Sequence, residues 1–114
     1  MNGMLDQPDQ ETPLVVLDTE TTGLSPAMGH RIVEVAAVRM QGWQVTATFN
    51  SLVNPGRPMD PGASRVNGIY DHDLVSAPSF ADIAGELHSM LDGAVLVAHN
   101  ARFDAAFLGI EYEN

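Results

Sequence analysis

The run Leu14-Val15-Val16-Leu17 constrains this chain more than any other segment: it is too short for a core helix and too continuous for a strand with one wet face. Bounded by Pro13 and a turn at Thr22-Gly23, it predicts a strand buried at the centre of a sheet, carrying Asp18 and Glu20 at its end. A second strand is expected from Arg31 to Met40. Gln41-Gly42 reads as a tight turn, and Trp43 to Val53 gives a third strand in which Val45, Ala47 and Phe49 alternate with polar residues. These three strands make an antiparallel meander. Asn54-Pro55-Gly56, Pro58 and Pro61-Gly62 then break regular structure, so the segment to about Asp73 is expected to be mostly loop with one short helical turn.

From Phe80 the pattern changes period. Phe80, Ile83, Ala84, Leu87, Met90 and Leu91 fall on one helical face, with Ser79 placed as N-cap and Gly93 as stop signal. Ala94 to Ala98 reads as another buried strand. Asn100 then caps a last helix from Ala101 to Ile110, and Glu111 to Asn114 reads as an interruption rather than a designed end. Strand, strand, strand, helix, strand, helix implies an α/β architecture, a mixed sheet covered by helices.

At 114 residues, with 45% hydrophobic and 18% charged residues, the chain can build one core. Residues 1–13 hold Asp6, Asp9 and Glu11 and no apolar run, so they read as a short flexible tail, neither a secretory signal nor a membrane span, ahead of one domain over 14–114. No cysteine is present, which leaves carboxylate and histidine as metal ligands and makes a cytoplasmic address the default. A formal net charge of −10 opposes long-range attraction to a polyanion. Salt screens such fields beyond about 8 Å, and a bound divalent ion inverts the local one. The expectation is a domain that grips nucleic acid poorly by itself and relies on metal and on a partner.

Asp18 and Glu20, two apart on a strand, project to the same side of the sheet. Two carboxylates held close repel unless one is protonated or a cation bridges them, and hard oxygen ligands suit Mg²⁺ or Mn²⁺. Alone, the pair reads more readily as two solvated residues entering a turn. In His99-Asn100-Ala101-Arg102-Phe103-Asp104, the aspartate shares a helical face with Ala101, Ala105 and Leu108, so apolar a setting that the carboxylate needs a partner. It could instead merely complement the helix dipole, worth about 0.3–1 kcal/mol.

Taken together, the clusters resemble a known family. Val15-Val16-Leu17-Asp18-Thr19-Glu20-Thr21-Thr22-Gly23-Leu24 is similar to the first motif of the DEDD superfamily of 3′→5′ exonucleases, and Val97-Ala98-His99-Asn100-Ala101-Arg102-Phe103-Asp104 to the second. Arg31 to Val38, Val53-Asn54-Pro55 and Val66-Asn67-Gly68-Ile69 resemble its bacterial epsilon (proofreading) branch, in the family's order, so the likeness runs from Leu14 to Leu108. It implies a ribonuclease-H-like fold, incomplete at the C-terminus. It also implies that Asp18, Glu20 and Asp104 ligate two Mg²⁺ or Mn²⁺ ions that hydrolyse the terminal phosphodiester of a single-stranded DNA 3′ end, releasing nucleoside 5′-monophosphates. Thr21, Thr22, Gly23 and Leu24 would meet the terminal nucleotide. Phe103, Asn67, His99 and Asn100 would lie about it, Asn67 standing where the epsilon branch often carries histidine. A partner implied by this branch is the catalytic subunit of DNA polymerase III.

The family's third motif, with its general-base histidine and fourth aspartate, would lie several tens of residues beyond Asp104, so the 114-residue chain is expected to be inactive by itself. Its last helix is expected to expose apolar surface around Phe103, Phe107 and Ile110, favouring low stability or self-association. His30, His72 and His88 are assigned surface or capping roles, Asp71-His72-Asp73 capping before the Phe80 helix, and Glu34 a structural role in the second strand. Two other readings stay open: an enzyme of the same superfamily acting on RNA ends, and a non-catalytic module that binds metal or a polymerase.

Overall fold

The computed structural model describes residues 12–113. The tail expected over 1–13 falls, apart from Thr12 and Pro13, outside the described residues, as does Asn114. Four strands, β1 (Leu14–Thr21), β2 (Ile32–Gln41), β3 (Gln44–Leu52) and β4 (Val95–Val97), form one sheet in the order β3-β2-β1-β4. The first three pair antiparallel and β4 joins β1 in parallel, which makes the expected mixed sheet. The pairing with β4 starts before β1 does: the Pro13 carbonyl accepts from the Val95 amide at 2.9 Å.

The proline-rich segment is more ordered than its composition suggests. A 3-10 turn (Pro26–Met28) follows β1, and helices α1 (Pro61–Asn67) and α2 (Asp71–Leu74) occupy the stretch expected to be loop. Pro61 opens α1, where its fixed φ is preorganised and its missing N–H costs nothing, and Gly68 closes it at φ 74°. Asp71-His72-Asp73 forms α2 itself rather than capping the next helix: the Asp73 carboxylate accepts from the Tyr70 amide at 2.9 Å and that of Asp71 from the Met59 amide at 2.8 Å.

Helix α3 (Phe80–Leu91) matches its pattern, burying Phe80, Ile83, Leu87 and Met90. Its start is fixed reciprocally, the Ser79 hydroxyl accepting from the Asp82 amide and the Asp82 carboxylate from the Ser79 amide. With Phe107 and Leu108 of helix α4 (Ala101–Glu113), this face packs on Val15, Leu17, Val35, Ala37 and Phe49 of the sheet. Ile32 and Val33 enter different clusters, Ile32 the main core and Val33 a second one with Met59, Ile69 and Leu74, and the bulge where Thr21 pairs with Ile32 is what puts Ile32 rather than Val33 with Val35 and Ala37.

Three expectations fail, each for a physical reason. The Leu14–Leu17 run is buried on one face only: Val15 and Leu17 lie under the helices while Val16 is 45% exposed. The strand expected over 94–98 is likewise a short edge strand with Val95 and Val97 exposed. A continuous apolar run does not reveal which of its faces the helices reach. The last helix does not stop at Ile110 or display Phe107, which is 1% exposed, while Phe103 and Ile110 are half-buried. It runs on because Glu111 and Tyr112 are anchors. The Glu111 carboxylate is buried against Arg31, accepts from Arg31 Nε at 2.8 Å, and takes the Ile32 amide at 3.0 Å. Tyr112 meets Phe80 edge-on with centroids 5.1 Å apart, and its hydroxyl donates to the Ala84 carbonyl.

Candidate active site

Strand alternation decides what β1 presents. Thr19 and Thr21 turn toward the helices, while Asp18, exposed, and Glu20, half-buried, point to the open face. Glu34 stands directly across from Glu20 in the β1–β2 ladder, a like-charge pair that costs stability. Burial, first, and then Asp18, Glu34 and Asp104 push the Glu20 carboxyl above its ordinary range, against a hydrogen bond from Asn67 that lowers it. Asp104 comes up from the first turn of α4 and is buried. Its Oδ1 accepts from the Thr19 hydroxyl. Burial raises its pKa, the Thr19 bond lowers it, and Asp18 raises it again, leaving it above the ordinary value.

The three sequence-predicted acids therefore feel one another across the top of β1. Among the described residues no arginine forms an ion pair with any of them, and the chain contains no lysine. Their donor chemistry, hard and anionic, fits a divalent cation. The set is incomplete: among the described residues no three Asp, Glu or His side chains gather closely enough to enclose an ion.

Beside the carboxylates lies a cleft of about 850 Å³, bounded on one side by the chain from Thr19 to His30, on the other by Asp60 to Asn67, with Phe103 at its base. It brings together Glu20, Thr21, Gly23, Leu24, Asn67 and Phe103 of the predicted set. Leu24 projects at the mouth, 84% exposed, and Phe103 is backed by Phe107 at 4.7 Å between centroids. Asn67 ties the far wall to β1, its amide donating to the Thr21 carbonyl at 3.3 Å.

Other predicted contacts fall elsewhere. Thr22 is fully buried and its hydroxyl already accepts from the Arg31 amide at 3.1 Å, so it serves the turn and not the cleft. His99 and Asn100 are exposed at the head of α4, outside the cleft lining. Conversely, His30, read as a surface residue, is buried in the cleft wall and bonded to Asp60 at 3.0 Å. Met28, Asp60 and Val66 line the cleft as well. A partial signal for His30 exists in the sequence: it stands just ahead of the strand expected from Arg31, with Gly23 at the other end of the same loop.

With this geometry in place, similarity defines the class. The exonuclease family known as RNase T matches residues 15–113, and the chain belongs to that family. An epsilon-like protein of DNA polymerase III from Rhodobacter capsulatus is 48% identical over 105 residues, 86% of this chain and 15% of the relative. The DNA polymerase III epsilon subunit of Escherichia coli is 41% identical over 106 residues, 89% of this chain and 44% of the relative. The chain thus spans less than half the length of these relatives. Among solved structures, E. coli exonuclease I in complex with a dA16 oligonucleotide superimposes with a TM-score of 0.78 at 25% identity, over 90% of this chain and 24% of that one. Exonuclease X in complex with 5′-overhanging duplex DNA gives 0.69 at 30% identity, over 82% and 52%. The sheet and helices described above are the fold of these neighbours. Among the described residues no helix is long and apolar enough to cross a membrane.

Proposed function

We propose that the protein carrying this chain is a metal-dependent 3′→5′ exonuclease that removes nucleoside 5′-monophosphates from single-stranded DNA ends, in the proofreading of replication. The observation that carries this reading is the group of mutually repelling carboxylates, Asp18, Glu20 and Asp104, unpaired by any cationic side chain among the described residues and set beside an apolar cleft of nucleotide size. Family membership and the epsilon-subunit relatives support the choice of reaction and suggest a DNA polymerase III catalytic subunit as partner.

Asp18, Glu20 and Asp104 would hold Mg²⁺ or Mn²⁺, two ions in this reading. When bound, such ions supply Lewis-acid activation of water and charge stabilisation at the leaving oxygen. The chain's own residues do the rest of the binding. Leu24 and Phe103 offer apolar surface to a terminal base without selecting its identity, and Thr21 and Gly23 lie beside them. Asn67 holds Glu20 and the Thr21 carbonyl in place. Thr19 favours the ionised form of Asp104 by donating to it, against the burial that raises its pKa.

The test is the protein with its natural flanking sequence, incubated with 3′-labelled single-stranded DNA and Mg²⁺, beside Asp18→Ala and the isolated 114-residue chain. Release of 5′-monophosphates by the first and neither of the others is the expected result. Inertness of the first on both DNA and short RNA would leave a binding module as the better reading.

A further inference from the structure

The two walls of the cleft come from distant parts of the chain, and one buried side chain joins them. His30 closes the loop that begins at Gly23, and both of its ring nitrogens are engaged. Nδ1 accepts from the Ser25 amide at 3.0 Å, so it carries no proton, and Nε2–H is left to donate to Asp60 Oδ2 at 3.0 Å. Asp60 stands just ahead of α1, the opposite wall. The ring also lies flat beneath Gly23: a Cβ there would come within 2.6 Å of Cε1 and Nε2, which is why only glycine fits this point of the loop.

Lesser ties run parallel to this one. The Asp60 amide donates to the Thr22 carbonyl at 2.9 Å, and Arg57 donates to the Gly29 carbonyl at 2.9 Å while reaching Asp60 at 3.5 Å. Of all these groups His30 alone contacts the loop at its near end, supports its glycine and binds the far wall.

We propose that His30 is a positioning residue of the cleft, a neutral strut between the Gly23–Gly29 loop and Asp60 that sets the width of the terminal-nucleotide subsite. The proposal rests on the exonuclease reading for its substrate and on the hydrogen bonds for its geometry. His30 touches no reacting atom, so its loss weakens binding of the 3′ end and spares the chemical step.

Two variants separate its two bonds. His30→Gln keeps an amide that reaches Asp60, whereas His30→Asn keeps an acceptor for Ser25 and falls short of Asp60. In the protein with its natural flanks, acting on single-stranded DNA, His30→Asn should raise KM by about tenfold with kcat within about twofold, and His30→Gln should recover most of the loss. An unchanged KM in His30→Asn, or a fall in kcat that only follows a lower melting temperature, overturns the proposal. Hydrogen exchange of the Asp60 amide, which bridges the walls, answers the question without catalysis. Faster exchange in His30→Asn than in His30→Gln supports the strut, and equal protection overturns it even if the wild-type protein proves to cleave nothing.

Discussion

Helix α4 buries two carboxylates on one face, Asp104 in its first turn and Glu111 near its end, and their surroundings are opposite. Glu111 meets the Arg31 guanidinium and a backbone amide, and that carboxylate in turn raises the Arg31 pKa. Asp104 meets one hydroxyl and a field of other acids. The same helix thus contributes stability at one end and forgoes it at the other. Hydrogen bonds from Thr19 to Asp104 and from Asn67 to Glu20 offset that repulsion in part, and in the reading proposed above a bound cation would relieve the rest.

The comparison can be broken at several points. The largest effect is on activity: Glu20→Gln and Asp104→Asn should each reduce DNA cleavage by on the order of 10³-fold in a 3′-end release assay, equivalent to about 4 kcal/mol. Activity within a few-fold of wild type would remove the functional reason for the repulsion. Next comes Glu111→Ala, which strands a half-buried arginine and an amide; urea denaturation should show a loss of about 3 kcal/mol. A loss below about 1 kcal/mol would mean that the anchor is ordinary surface pairing.

Thr19→Val is smaller, removing the one side-chain donor that Asp104 has among the described residues. It should cost about 1–2 kcal/mol at pH 7, shrinking toward acid pH as the carboxyl protonates and no longer needs a donor. The smallest effect has the opposite sign. Because the folded state raises the Glu20 pKa, the wild type is penalised above that pKa and unpenalised below the ordinary carboxylate value. Glu20→Gln should therefore stabilise the protein at pH 7 by about 0.5 kcal/mol, solvent contact screening the rest, and calorimetry at pH 3.5 should find most of the gain gone.

Much of this was legible in the sequence. Periodicity alone placed α3 and its Ser79 cap, the meander and the mixed sheet, because each rests on local spacing. Asp18, Glu20 and Asp104 were singled out by the family resemblance, since local spacing alone left each open to a plain structural role. What escaped depends on long-range partners. Glu111 looked like the start of an interruption since nothing near it in sequence announces Arg31. His30 looked like a loop residue since Asp60 is remote. Pro61 looked like a breaker, although proline equally begins a helix. Thr22, sharing a motif with Gly23 and Leu24, was assigned to substrate when its hydroxyl is spent on the turn.

The parallel pairing of β4 with β1 bears on the order in which this molecule assembles. The β1–β2–β3 meander closes through short connections, whereas β4 reaches β1 only after most of the chain has been threaded, at a higher entropic cost of loop closure. Asp18 and Glu20 lie on the locally connected meander and Asp104 on the helix that follows β4, so the three carboxylates come together only when α4 docks against β1. With the meander formed but α4 undocked, Asp18 and Glu20 stand without Asp104, so the assembled acidic cluster is itself a sign that α4 has docked.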